Sequence, residues 1–162
     1  MAEAADTPVA AGPDTPVAAG PDTQGTGTAA QGLVGIVLVS HSAQVAQSVA
    51  ELARGLAAGG PVAPLAAAGG TAEGGLGTSA DLIVAAAMSV DRGAGVALLA
   101  DLGSSVLTVK SLLAEEELPA GARLVDAPFV EGAVSALVTA SAGAPLDAVV
   151  ASAAEAYSYR KA

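Results

Sequence analysis

Residues 34–42 read VGIVLVSHS, an unbroken apolar run that ends abruptly in three polar side chains. A strand that alternates apolar and polar residues is wetted on one face, whereas a continuous β-branched run belongs to a strand covered on both faces. Helical spacing follows directly, with Val45, Val49, Leu52 and Leu56 marking a helix over 43–57 that stops at Gly59-Gly60. The same alternation continues to the C-terminus. A weaker apolar segment at 62–68 leads through the glycine-rich stretch 69–77 to Thr78 or Ser79. Either of these can cap a helix through Leu82, Ile83, Ala86 and Val90. Gly93 and Gly95 end that helix, 96–100 (VALLA) reads as a third buried strand, and Asp101-Leu-Gly-Ser-Ser105 turns into a helix over about 105–117. Residues 123–126 form a short fourth strand, and Pro128 and Pro145 open helices over 128–140 and 145–160. Proline is tolerated at a first helical turn because its missing N–H has no partner there anyway.

The order βαβαβαβαα predicts an α/β fold of three αβα layers around a four-stranded parallel sheet. In such sheets functional side chains collect beyond the carboxyl ends of the strands. The polar residues of this alanine-rich chain fall there. Ser40, His41 and Ser42 follow the first strand, Thr78 and Ser79 the second, Asp101, Ser104 and Ser105 the third, and Asp126 the fourth.

Composition narrows the chemistry. The 162 residues contain 16 acids against 6 Lys plus Arg, no Cys and one His, for a net charge of −10. Six cations among that many acids do not make the basic face of a nucleic-acid binder. Disulfide frameworks and thiolate or multi-histidine metal sites are excluded by the same counts. No apolar run approaches a membrane span, and the expected location is cytoplasmic. Residues 6–13 and 14–21 are identical copies of DTPVAAGP, and residues 1–31 carry four acids and no base. Prolines at that spacing deny helix and ladder hydrogen bonds, so 1–31 is expected to be a disordered Pro/Ala-rich tail and 32–162 the folded domain. With aromatics only at Phe129, Tyr157 and Tyr159, the core is poor in large side chains and is expected to lean on a subunit interface. The three aromatics read as packing residues, and Lys110 as a partner of Glu115-Glu116-Glu117.

His41 sits at a strand-to-helix junction, where free N–H groups favour a neutral imidazole and welcome an anion. A neutral imidazole keeps a lone pair that can attack phosphorus. Asp101, at the end of a neighbouring strand, is placed to accept from the other ring nitrogen, and Thr78, Ser104 and Ser105 to donate to a phosphoryl group. Competing motifs are weaker. Residues 75–80 (GLGTSA) fit G-x-G-x-x-A but follow a glycine loop instead of a tight strand turn, and neither a P-loop nor a G-x-S-x-G elbow is present.

Four blocks, VGIVLVSHSAQVAQSVAELAR, GGLGTSADLI, LLADLGSSVLTVKSLL and DAPFVEGAVSALVTASAGA, resemble in order the phosphotransferase subunits of phosphoenolpyruvate-dependent dihydroxyacetone kinases, the DhaM family. The core of that family is similar to the mannose-family enzyme IIA domain. The resemblance covers 32–150. It implies a homodimer in which His41 accepts a phosphoryl group from HPr and passes it to ADP held, with Mg, on DhaL, while DhaK presents dihydroxyacetone. It gives Asp101 the role of orienting His41 and sets Gly77, Thr78 and Ser79 beside the acceptor, as phosphoryl or partner contacts. No cofactor is expected on this subunit itself. Some relatives continue into HPr-like and enzyme-I-like domains, so the phosphate is expected here from separate proteins. Two other readings stay open: an enzyme IIA of a sugar phosphotransferase system with a IIB acceptor, and a non-catalytic regulatory binding module.

Overall fold

The computed structural model describes residues 32–162; the expected tail, 1–31, lies outside the described residues. Four strands, β1 (Gly35–Ser40), β2 (Leu65–Gly69), β3 (Val96–Ala100) and β4 (Ala122–Val125), form one parallel sheet in the order β2-β1-β3-β4. Five helices alternate with or follow them: α1 (Ala43–Ala57), α2 (Ala80–Val90), α3 (Gly103–Ala114), α4 (Phe129–Ser141) and α5 (Leu146–Glu155). All six residues of β1 are buried, as expected of a central strand flanked on both edges and both faces.

The strand order places the site. From β1 the chain steps to β2 on one side, then crosses back over β1 to β3 and on to β4. Right-handed crossovers therefore put α1 on one face and α2 and α3 on the other. Residues of α1, α4 and α5 pack with Ile36, Leu38, Ala97 and Leu99, while α2 and α3 pack with Val37, Val39, Val96 and Leu98. The direction of winding reverses between β1 and β3, and that gap at the carboxyl ends is where such sheets bind ligands. Ser40 and His41 leave β1 on one side of it and Asp101 leaves β3 on the other, with Val39 and Ala100 as paired neighbours.

The structure shows which side of α1 faces the sheet. Its spacing is helical, but only Val49 of the four large apolar residues is buried; Val45, Leu52 and Leu56 face outward. The side turned to the sheet carries Ala46, Val49, Ala50 and Ala53, opposite Ala133, Ala136, Leu137 and Ala140 of α4. Small side chains let the helix lie close to the sheet, and the larger ones are left outside. The third and last helices are shorter than expected. α3 ends at Ala114, ahead of the three glutamates, and α5 gives way at Ala156 to a single 3₁₀ turn.

Close approach also fixes the start of α1. A Cβ at Gly69 would lie 2.5 Å from the Ser42 carbonyl oxygen and 2.7 Å from Ala43 Cα, both backbone atoms that cannot swing away. Gly69→Ala is therefore expected to destabilise the fold by about 1–3 kcal/mol, the usual cost of overpacking, read as a lower urea midpoint with an unchanged m-value.

Candidate functional site

The carboxylate of Asp101 is the hub of the cluster at the β1/β3 gap. Its Oδ2 accepts from Ser40 Oγ at 2.8 Å and from the His41 backbone N–H at 3.0 Å. Its Oδ1 accepts from His41 Nδ1 at 3.0 Å, from the Leu102 backbone N–H at 2.7 Å and from Ser105 Oγ at 2.8 Å. Burial alone would raise this carboxyl. The His41 backbone N–H, the Ser105 and Ser40 hydroxyls and the His41 ring outweigh it and hold the pKa at about 2, against an ordinary 3.8. The group is thus an anion at neutral pH and can only accept hydrogen bonds.

That fact sets the histidine tautomer. Facing an acceptor-only carboxylate, Nδ1 carries the proton, and a neutral ring then keeps its lone pair on Nε2. Nε2 points away from the sheet and meets the Ser104 hydroxyl, which donates to it. The His41 side chain is 25% exposed and that of Asp101 15%, so the nucleophilic edge reaches solvent while its anchor is sheltered.

The other expected site residues fall into distinct positions. Ser40 and Ser105 are buried; Ser40 donates its hydroxyl proton to Asp101, and Ser105 shares its single one between Asp101 and the Leu102 carbonyl. Ser42 caps α1, accepting from Val45 N–H at 3.3 Å, and Ser79 caps α2, accepting from Leu82 N–H at 3.4 Å. The N–H of Gly77 donates to the His41 carbonyl at 2.9 Å, which draws the glycine loop against the histidine. Thr78, paired with Gly70 in a short bridge, has a buried Oγ1 with no hydrogen-bond partner among the described residues. Among the described residues, only Ser104 hydrogen-bonds the free ring nitrogen.

Several expectations about the surroundings change. The N–H groups of Gly75 and Gly77 are taken up by Thr71 Oγ1 and the His41 carbonyl, so the GLGTSA stretch does not hold out those donors to a pyrophosphate. Asp126 is at the end of β4 as expected, but accepts from the Tyr157 hydroxyl at 2.8 Å and not from the histidine cluster. Tyr157 and Tyr159 are exposed and do not fill the core, whereas Phe129 packs against it. Lys110 makes no ion pair with Glu115–Glu117; among the described residues the Lys and Arg ion pairs are Arg123–Asp147 and Lys161–Glu131. Lys110 instead lines a groove of about 720 Å³ between α3 and β4, shared with Asp101, Arg123 and Tyr157. Sequence reading missed this groove and the Tyr157–Asp126 bond, because both depend on how the last turn wraps the open edge of β4. No helix among the described residues is long and apolar enough to cross a membrane.

Comparison with known proteins bears on the same segment. Residues 35–150 match the EIIA-man family, described as the PTS system fructose IIA component. The phosphoryl donor subunit DhaM of PEP-dependent dihydroxyacetone kinase from Escherichia coli K12 is 35% identical over 121 residues, covering 73% of this chain and 26% of that protein. The corresponding subunit of PEP-dependent dihydroxyacetone kinase 2 from Listeria innocua is 32% identical over 108 residues, covering 65% of this chain and 85% of its own length. The chain thus spans about a quarter of the first of these relatives and most of the second. A crystal structure of a protein of unknown function superposes with a TM-score of 0.65 at 30% identity, covering 76% of this chain and 95% of the other. A sigma-54 interaction domain protein from Enterococcus faecalis shares the fold, with a TM-score of 0.57 at 18% identity and coverage of 79% and 93%.

The depressed Asp101 pKa makes a stability prediction. Because the folded value lies below the unfolded one, the ionised carboxylate contributes stability above the ordinary 3.8, and the contribution is lost as pH falls from there to about 2. Asp101→Asn is expected to be less stable than the wild type at neutral pH and to show a shallower loss between those limits. Urea midpoints measured across that range check it; parallel curves for the two proteins would contradict it.

Proposed function

The chain belongs to the EIIA-man family of PTS system fructose IIA components and resembles its DhaM members, and from that premise we propose that it is the phosphocarrier subunit of a PEP-dependent dihydroxyacetone kinase. His41 takes a phosphoryl group from phosphorylated HPr and gives it to ADP held with Mg on DhaL, and DhaK presents dihydroxyacetone in the same complex. The cytoplasm, where these partners meet, is the corresponding location. The observation that carries this reading is the contact of Nδ1 with Asp101, which leaves the Nε2 lone pair directed outward.

The chemistry follows from that arrangement. Nε2 attacks phosphorus as the bond from phosphorus to the donor's ring nitrogen breaks, and the donor leaves as neutral imidazole. No proton need move at His41, because Nδ1 already carries one. The phosphorylated ring is formally cationic, and the Asp101 carboxylate beside Nδ1–H stabilises it through a charge-assisted bond. The Ser104 hydroxyl gives up its hold on Nε2 and turns its proton to a phosphoryl oxygen; the orphan Thr78 hydroxyl and the first N–H groups of α1 are further donors within the same loops. In the second half-reaction a terminal oxygen of ADP attacks phosphorus, the P–Nε2 bond breaks, and the neutral Nδ1–H imidazole is restored. Ser40, Ser105 and Gly77 act indirectly in this scheme, by holding Asp101 and the histidine backbone.

A homodimer belongs to the same proposal. The outward residues Leu52 and Leu56 of α1 adjoin Val130 and Val138 of α4 and Tyr159 in a groove of about 650 Å³. Its charged residues are the paired Glu131 and Lys161, so a chain of net charge −10 presents one nearly neutral face. Two copies can meet there with little like-charge repulsion, which also answers the shortage of large core side chains.

Incubation with phosphoenolpyruvate, enzyme I and HPr is expected to add one phosphoryl group per chain, measured by intact mass, labile in acid and absent from His41→Ala. Asp101→Ala should slow transfer on the order of 10²–10⁴-fold, the scale on which a mis-set imidazole tautomer costs histidine-dependent catalysis. Discharge to a IIB protein in place of DhaL would point to a sugar transport system, and an unlabelled His41 beside active donors to a regulatory module. By sedimentation equilibrium, Leu56→Glu and Val138→Glu are each expected to turn a dimer into monomers with unchanged secondary structure; dimers that persist in both would place the interface elsewhere.

A further inference from the structure

Asp101, His41 and Ser104 stand in one line of hydrogen bonds. Asp101 Oδ1 accepts from His41 Nδ1 at 3.0 Å, and the Ser104 hydroxyl donates to the opposite ring nitrogen, Nε2. A carboxylate, an imidazole and an alcohol joined in that order form the constellation of serine acyl-transfer enzymes. That constellation is recognised by geometry and roles, and it recurs on unrelated folds in different chain orders. A G-x-S-x-G elbow is one way to hold a serine out to solvent. Here the first turn of α3 holds Ser104 out instead.

Each part has the state that such a role requires. Asp101 is ionised and keeps the ring proton on Nδ1, so Nε2 is the base and the Ser104 proton is already directed at it. The Ser104 hydroxyl is exposed and has no other hydrogen bond among the described residues, whereas Ser40 and Ser105 are buried and committed to Asp101 and Leu102. The hydrogen-bond ladder of α3 starts with the Val106 N–H, which donates to the Leu102 carbonyl at 3.2 Å. The N–H groups of Gly103 and Ser104 precede that ladder at the positive end of the helix, beside the position where an oxyanion would form. A Cβ on Gly103 would meet no atom within 4 Å, so the approach is open. From Gly103 the groove of about 720 Å³ runs between α3 and β4, with Val106, Leu113 and Leu124 as apolar lining and Lys110 and Arg123 as its cations. A cleft of that size accommodates an acyl chain.

We propose that, with Nε2 free, the protein is also a serine esterase: Ser104 is the nucleophile, His41 the general base and acid, Asp101 the positioning residue, and the substrates are carboxylic esters whose acyl chain fits the groove beside α3. Ser104 Oγ attacks the carbonyl carbon as its proton passes to Nε2. The tetrahedral intermediate collapses, Nε2 returns that proton to the departing alkoxide, and the alcohol leaves an acyl-serine behind. Water then attacks the acyl carbon and gives a proton to Nε2. Collapse expels the Ser104 oxygen, which recovers the proton, and the carboxylic acid is released. Ester and water become acid and alcohol with no other reactant. A phosphoryl group on Nε2 would occupy the same lone pair, so acyl and phosphoryl chemistry exclude one another at His41.

Two probes test this on the intact protein: p-nitrophenyl butyrate, an activated ester, and a fluorophosphonate, which phosphonylates activated serines with loss of fluoride. The wild type is expected to hydrolyse the ester faster than the same concentration of free imidazole, and to take up one phosphonyl group per chain, mapped to Ser104 by peptide mass. Ser104→Ala and His41→Ala should each lower hydrolysis about 10²–10⁴-fold, the usual contribution of such groups. Asp101→Asn should lower kcat on the same scale with KM little changed, a split that a general loss of structure would not produce. Ser104→Ala is the decisive variant. Its side chain is exposed and loses only the bond to Nε2, so the urea midpoint should stay put, and it leaves His41 free to attack an ester directly. Undiminished hydrolysis in Ser104→Ala, a label on His41 or on another serine, or a wild type no faster than free imidazole would overturn the esterase assignment.

Discussion

The contact on which the site depends is the carboxylate of Asp101 held by five donors. One residue at the end of β3 collects hydrogen bonds from the end of β1, from the histidine ring and from the first turn of α3. Bonds from neutral donors to a charged acceptor are the stronger kind, of about 1.5–3 kcal/mol each, and this set closes the gap left where the sheet reverses its winding. The same bonds that fasten two strand ends together lower the carboxyl pKa, fix the proton on Nδ1 and turn Nε2 outward. Local architecture and the orientation of the imidazole lone pair are here one network. A loosened anchor would disturb both.

Around that network the packing is built from small residues. Alanines on α1 and α4 face each other and the sheet, so these elements lie close, and the carboxyl ends of β1 and β2 come near enough to α1 that only glycine fits at position 69. The start of α1 is thereby fixed from two sides, by Gly69 beneath it and by the Ser42 cap within it. His41, immediately before that cap, has little freedom in its backbone: its N–H is bound by Asp101 and its carbonyl by Gly77. The cost of close packing is that larger apolar side chains are displaced to the surface, where they gather on the outer side of α1 and α4.

The order of elements was legible because each buried strand is an uninterrupted apolar run and four of the five helices follow a serine or proline cap, Ser42, Ser79, Pro128 and Pro145. VGIVLV and VALLA lie within one residue of β1 and β3, and Ser79 is the cap of α2. The pairing of His41 with Asp101 could be anticipated from strand ends that the topology brings together. What escaped were contacts governed by which side of a helix meets the sheet. A spacing of three and four marks α1 as helical whether the large residues or the alanines face inward, so Leu52 and Leu56 could not be assigned to core or surface from periodicity alone. Ser40 and Ser104 look equivalent in sequence, yet one is buried beneath Asp101 and the other stands at Nε2. That distinction arises from a single step in strand direction and helical phase.

The five-fold coordination of Asp101 has a further chemical consequence. A carboxylate near a phosphorylated nitrogen could act as a general base and activate water for hydrolysis, which would waste the phosphoryl group. Asp101 is poorly suited to that role, since both oxygens are occupied by donors and its pKa of about 2 makes it a weak base. His41 has its Nδ1 proton engaged by the same residue, and the one base bonded to Ser104, the Nε2 lone pair, would be taken up once that nitrogen carried a phosphoryl group. On the proposed phosphocarrier reading, the cluster would stabilise the cationic ring of a phosphohistidine while holding no strong general base to activate water beside it. On that reading, discharge would wait for an acceptor that brings its own nucleophile, the behaviour required of a carrier as opposed to a phosphatase.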